Sequence, residues 1–287
     1  MIVIIGLILV HICTFGVYLL HGGNGKVLLD ALPFEMVTIM GSGIGALIIS
    51  NDLSTIRDIG RGLVLVITGS KWKKRDFIDI IILVSNLMKT LRTKGPRALE
   101  SEIETPASSS YFQPYSKLLK DDELVHLITD TIRIMIVSSG NLNAYAVEEV
   151  MDIRIKQRQN KLLHASSALL ALSGALPALG IVACVLGIVK TMSAIDQPPE
   201  ILGGLIGAAL LGTFLGVFLS YGVIEPLAKR MEYLFKEECQ IFFVVKHIFV
   251  ATLHGHPQPL VIEAARAAIG HHEQPSFNEV FDQLLGR

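Results

Sequence analysis

Six residues spaced 4, 3, 4, 3 and 4 apart, Ser173, Pro177, Gly180, Cys184, Gly187 and Thr191, fall on one face of a helix. That face offers hydroxyls, a thiol and small surfaces but no charge. Pro177 adds one more group, because its ring has no N–H to donate and clashes with the carbonyl of Ser173, which is freed from the helical ladder. A freed carbonyl at membrane depth is tolerated only against protein or water. The bland reading is a tightly packed helix with a kink. The sharper one is a helix lining a polar pathway. A second ridge recurs every four residues, Gly204, Ala208, Gly212, Gly216 and Ser220, and small residues at this spacing let another helix approach closely. Thr213 and Tyr221 lie beside that ridge and offer hydroxyls, and Pro226 just past it would free the carbonyl of Gly222. No carboxylate falls inside any apolar stretch on this reading, since Glu35, Glu200 and Glu225 are placed at the ends. A proton or sodium pathway needs a buried carboxylate as its stopping point, so a partner would have to supply it.

The elements that position these groups follow from composition and patterning. Of 287 residues, 51% are hydrophobic and 18% charged, against about 25% charged for an ordinary soluble domain. The fold class expected is an all-α integral membrane protein: four transmembrane helices, a large helical cytoplasmic insertion between spans 2 and 3, and a cytoplasmic C-terminal helical tail. Ala165 to Val189 is uncharged and long enough to cross a bilayer. The segments expected are a first span at 1–20, a periplasmic turn at 21–32 and a short second span at 33–51. A cytoplasmic helical domain follows at 52–164, then a third span at 165–189, a periplasmic loop at 190–200, a fourth span at 201–224 and the cytoplasmic tail at 225–287. Residues 51–164 hold 17 of the 25 Lys and Arg, which places them and both termini on the cytoplasmic side. Gly41 and Gly45, with Ser42 and Ala46 beside them, are expected to form a helix contact face on the second span.

Within the insertion, Asp76 to Arg92 has apolar positions at helical spacing and is interrupted by Asp79, so it reads as a buried amphipathic helix rather than a span. Gly95-Pro96 breaks it. A further helix is expected from about Asp121 to Ser139, closed by Gly140 and Asn141, and Asn143 is expected to cap the next. Arg92 and Glu100 bracket Gly95-Pro96 on a segment that reads as solvated surface.

Several function classes drop out. There is no G-x-x-x-x-G-K-[ST] loop for phosphates, no H-E-x-x-H for zinc and no G-x-S-x-G elbow, so neither enzyme nor cofactor is expected. His11 sits alone in the first span. His254, His256, His271 and His272 read as solvated tail histidines rather than a metal site, and Cys13, Cys184 and Cys239 are too far apart to suggest a disulfide framework. A net charge of -1 with no dense basic block gives no reason to expect nucleic acid.

Pro177 to Met192 (PALGIVACVLGIVKTM) and Gly212 to Ala228 (GTFLGVFLSYGVIEPLA) closely resemble the third and fourth spans of MotA, the A subunit of the bacterial flagellar stator, within the MotA/TolQ/ExbB proton channel superfamily. The resemblance extends over nearly the whole chain, through HGGNG, GSGIGALI, LMKTLRTKGPRALESEIE and QPSF. It implies a proton-driven torque generator of the bacterial inner membrane. It implies assembly as a homo-oligomeric ring, pentameric, around a dimer of MotB-like single-span B subunits whose membrane aspartate carries the ion. Carried onto this chain, Pro177 and Pro226 match the family's two functional prolines and Thr213 a threonine near the ion site, while Arg92 and Glu100 match the charged pair that engages the rotor protein FliG. Sodium-type relatives have threonine where Cys184 stands, and a hydroxyl is the better sodium ligand, so the resemblance favours proton. Cys184 also departs from the alanine common in proton-type relatives. The competing readings are an energiser resembling ExbB or TolQ, which have three spans, and a non-conducting scaffold packing through its glycine ridges.

Overall fold

The computed structural model describes residues 2–138 and 143–284, and among these every regular element is helical. The expected helix end at Ser139 to Asn141 lies outside the described residues. The long helices are α1 (Ile2–Leu20), α2 (Gly25–Ser50), α3 (Leu53–Thr68), α4 (Lys74–Lys94), α5 (Asp122–Val137), α6 (Ala144–Met192) and α7 (Pro199–Leu253), followed by the shorter α8 (Gln258–Ala267) and α9 (Phe277–Leu284). Four of them, α1, α2, α6 and α7, are long and apolar enough to cross a membrane. The chain divides into two compact units, Met1–Gly69 with Lys161–Phe235 and Ser70–Asn160 with Lys236–Arg287.

In the first unit, the turn between α1 and α2 is shorter than the sequence suggests. Gly22 takes φ 82°, open to glycine without strain, and Asn24 accepts from the backbone N–H groups of Lys26 and Val27, so α2 starts at Gly25. The 26-residue helix therefore starts well ahead of Pro33, and Glu35 lies inside it rather than at its boundary. Three of the membrane-length helices contain a π turn, at Ile12–Gly16, Val37–Gly41 and Phe218–Ile224. The last immediately precedes Pro226, where the missing N–H already breaks the i→i−4 ladder, and Glu225 N–H reaches back to Ser220 O instead.

Residues 53–68, read in the sequence as the start of the insertion, pack within the first unit. Asp52 caps α3 by accepting from Thr55 N–H at 2.9 Å, and hydrogen bonds from Thr55, then Ser54, hold its carboxyl down to about 2. The stripe Thr55, Ile59, Gly62 and Val66 is buried, and a Cβ on Gly62 would lie 2.5 Å from Met231 Sδ and 2.8 Å from Phe235. The contact is made by the absence of a side chain.

The second unit has a core of bulky side chains. Asp76 accepts from Lys73 N–H at 2.7 Å at the start of α4, and Phe77, Ile80, Ile81, Val84, Leu87 and Met88 then recur at helical spacing and are buried. They meet Trp72, Phe112, Leu124, Ile128, Phe242, Ile248 and Phe249 in one cluster. Burying each such side chain is worth about 1.5–3 kcal/mol. Asp79 does interrupt the stripe, and burial holds its carboxyl above the ordinary range. The helix ends where Gly95 takes φ 80°.

Two buried charges of this unit, Asp121 and Lys246, are paired. Asp121 caps α5 through Leu124 N–H at 3.1 Å. Lys71 Nζ lies 2.7 Å from its carboxylate and Arg158 Nη2 3.5 Å, while the Arg158 guanidinium stacks 4.3 Å above the Phe242 ring. Burial alone would raise the Asp121 carboxyl; the Lys71 hydrogen bond and the two cations outweigh it and hold it below the usual range. Lys246 is buried beside Asp152 at 2.8 Å.

Candidate functional site

The two small-residue faces predicted from spacing meet over part of their length: Gly212 and Gly216 of the second face lie against the first, while Gly204 has open space beside it. On α6, Ser173, Gly180, Cys184 and Thr191 are buried and Pro177 and Gly187 half-buried; on α7, Gly212, Gly216 and Ser220 are buried. A Cβ on Gly180 would lie 2.7 Å from Gly212 O and 2.9 Å from Gly216 Cα, and one on Gly216 would lie 2.6 Å from Leu176 O. Further along, a Cβ on Gly187 would lie 2.7 Å from Ala209 Cβ. Real side chains do not fit at these distances, so the two backbones form a seam in which carbonyl oxygens, not side chains, are the facing surface. The hydroxyls of Ser173 and Thr191 bond back to Leu170 O at 2.7 Å and Gly187 O at 2.9 Å, which keeps them paired inside their own helix. Ser220 Oγ is buried without a partner.

The predicted pathway residues are not all in one place. Cys184 is in the seam, its backbone N 3.0 Å from where a Cβ on Gly212 would sit. Pro177 is half-buried on the same face and Thr213 is half-buried beside Gly212. Tyr221 points away, 62% exposed, and Pro226 is exposed. The expected contact glycines on α2 shift as well: Gly41 and Gly45 face open space, and Gly43 is the one that packs, 2.8 Å from Leu172 Cδ1 as measured from its would-be Cβ. The run Gly41-Ser42-Gly43-Ile44-Gly45-Ala46 is small at nearly every position, so its spacing did not select a face. His11 donates to or accepts from nothing in the seam; its Nδ1 bonds Leu7 O at 2.8 Å and its ring meets Phe218 edge-on at 5.2 Å.

Sequence reasoning missed Glu35. Its Oε2 is buried without a hydrogen-bond partner and lies 2.8 Å from where a Cβ on Gly212 would sit. The expectation that no carboxylate enters the apolar helices is therefore wrong for α2. The signal was present in Asn24, whose capping potential moves the helix start and with it the depth of Glu35.

Arg92 and Glu100 belong to the second unit. Both are exposed, on either side of Gly95 and the 3₁₀ turn Pro96–Leu99, whose Leu99 is fully buried and anchors the turn to the core. Arg92 Nη1 donates to His256 O at 3.4 Å.

Four apolar membrane-length helices, two of them joined along a close backbone seam, define a multi-span membrane subunit. The profile described as motility protein A N-terminal matches residues 4–95, and that of the MotA/TolQ/ExbB proton channel family matches residues 121–242. The chain is 34% identical to motility protein A of Salmonella typhimurium over 284 residues, 99% of this chain and 95% of that one. It is 33% identical to the chemotaxis protein LafT of Vibrio parahaemolyticus, over 96% of this chain and 95% of that one. Its fold matches a C. jejuni MotAB structure with a TM-score of 0.71 at 17% identity, covering 94% of this chain and 95% of that one. It also matches the flagellar MotAB stator complex of Bacillus subtilis with a TM-score of 0.67 at 19% identity, covering 95% and 98%. The chain belongs to the motility protein A family, the A subunits of the flagellar stator. It is a multi-pass inner-membrane protein.

Proposed function

We propose that this stator A subunit joins a single-span B subunit to form a proton channel along the α6–α7 seam, and that proton passage drives torque on the rotor. The observation that carries the reading is the seam itself: Gly180, Cys184, Gly212 and Gly216 bring the uncharged stretches 165–189 of α6 and 201–224 of α7 into main-chain contact. The apolar flank of α6 beside it, Ile181, Val182 and Val185, is about half exposed and free to receive further helices. The solved relatives, one named MotAB and one a flagellar MotAB stator complex, support a B partner and oligomeric assembly, here taken as a pentameric ring of A subunits around a B dimer. The match of residues 4–95 to the motility protein A N-terminal profile favours this over an ExbB- or TolQ-like energiser.

In this scheme both termini are cytoplasmic and the two short connections face outward, as the Lys and Arg distribution supports. Protonation of the partner's aspartate removes a charge beside Pro177, Cys184 and Thr213 and changes which helix contacts are favoured; the ring then steps. Pro177 and Pro226 would couple that change to helix conformation. One charge crossing 100 mV releases about 2.3 kcal/mol, several times RT, enough to bias a step. Arg92 and Glu100 would engage FliG as exposed charges, individually weak at about 0–1 kcal/mol, which suits repeated engagement and release.

The test is ion flux into vesicles carrying the chain with its single-span partner, the partner's plug segment removed, under separate proton and sodium gradients. Proton-driven flux lost on replacing the partner's aspartate is the expected result. Sodium-driven flux would overturn the ion assignment, and no flux from an assembled complex would overturn the channel.

A further inference from the structure

Glu35 lies well inside α2. Ten residues separate it from the start of α2 and fifteen from its end, about 15 Å and 22 Å along the axis. The neighbouring acid on α2, Asp30, is exposed near the helix start. The Glu35 side chain is half-buried as a whole, yet its Oε2 is sealed and has no hydrogen-bond donor. That oxygen occupies the space that a Cβ on Gly212 would need. Gly212 is thus held from two sides, by Glu35 Oε2 at 2.8 Å and Cys184 N at 3.0 Å from its would-be Cβ. Any side chain at 212 would occupy the space the carboxyl uses.

An ionised carboxylate with an unpaired oxygen at that depth is expensive, and ionisable groups inside membrane helices are retained where they move charge. The uncharged stretches beside it supply no cation, and two lysines on the same helices, Lys26 of α2 and Lys190 of α6, are exposed. From Ala165 to Val189 the one titratable group is Cys184, and from Ile201 to Ile224 it is Tyr221, which points outward; neither stretch carries a charge. On α1 the titratable groups are His11, Cys13 and Tyr18, of which His11 is engaged with Leu7 O and Phe218.

We propose that Glu35 is a second proton-carrying carboxyl of the pathway, seated on α2 against Gly212 and working in series with the acidic group of the B partner. This rests on the channel reading above. Glu35 as the carboxylate takes a proton from hydronium on its accessible side, forming one O–H bond as one O–H bond of the hydronium breaks and water departs. It surrenders that proton to the partner's carboxylate, breaking the same bond and returning to the anion. One proton enters and one leaves, with no other reactant.

The experiment uses the full chain with its single-span partner in vesicles, measuring proton flux for wild type, Glu35→Gln and Glu35→Asp. Glu35→Gln keeps shape and removes the titration, and is expected to lower flux about tenfold or more, with Glu35→Asp restoring part of it. A conducting wild type with an equally conducting Glu35→Gln overturns the role of Glu35 and leaves the channel standing. A wild type that does not conduct overturns the channel reading instead. Should Glu35→Gln fail to assemble, infrared spectra of the complex decide. A protonated-carboxyl band that shifts on carbon-13 labelling of glutamate in the wild type, and loses that labelled component in Glu35→Asp, supports the assignment; a spectrum unchanged between the two overturns it.

Discussion

The α6–α7 seam of the first unit and the core of the second are both buried, but they are buried by opposite means. In the seam, Gly180 and Gly216 let backbone touch backbone, the nearest atoms being carbonyl oxygens and Cα carbons, and Gly212 makes room for Cys184 N and the Glu35 carboxyl. In the second unit, Phe77, Leu87, Phe242 and Phe249 fill the interior, and Asp121, Lys71 and Arg158 neutralise one another at its edge. Close approach fails when atoms are added. A filled core fails when they are removed.

The sharpest test of that contrast adds atoms to the seam. Gly216→Val would set side-chain carbons against Leu176 O and Gly180 Cα, both backbone and unable to swing aside. Assembly with the partner and proton flux are both expected to be lost, whereas Cys184→Ala, which removes an atom from the same seam, should leave assembly intact. If Gly216→Val assembles normally, the contrast is broken. Next in size, Phe242→Ala in the second unit opens a cavity and also removes the surface under Arg158, at a cost of about 3–5 kcal/mol. Hydrogen exchange at α4 and α5 would register it as faster opening.

Acid provides a smaller and more specific test. The Asp121 carboxyl is held below its unfolded value, so its contribution to stability is present above the ordinary carboxylate pKa of about 3.9 and lost as pH falls toward the lower folded value. Asp121→Asn should destabilise the second unit at neutral pH, and the gap from wild type should close as pH drops through that window. A gap independent of pH would mean the ion pairs with Lys71 and Arg158 contribute nothing. The smallest effect on stability belongs to Arg92→Glu, an exposed site where a change within about 0.5 kcal/mol is expected. Torque measured on tethered cells should fall while ion flux is unchanged; equal loss of both would count against a rotor contact.

Much of this was legible in residue spacing. Helical periodicity placed α4 in a core despite its apolar run, and small-residue spacing marked two faces open to close helix approach without saying that each would meet the other. Runs and periods say which residues share a face. They do not say where a helix begins, and so Glu35 was put at a boundary that Asn24 had already moved. Nor do they register a π turn, which has no composition of its own. Gly43 was hidden because its neighbours are equally small, and residues 53–68 were grouped with the insertion although their buried stripe meets Met231 and Phe235. The separation of Thr213 and Cys184 from Tyr221 likewise depends on which way each side chain turns, which spacing along one helix leaves open.

The glycine seam has a mechanical consequence. Helices that pack by interlocking ridges must lift one row of side chains over the next before they can shift. Along Gly180, Gly212 and Gly216 there are no such rows. The two backbones present smooth faces, so a small slide or rotation keeps their contact while meeting little resistance. In the proposed stepping, which must repeat many times without the subunits coming apart, that stretch would serve as a bearing.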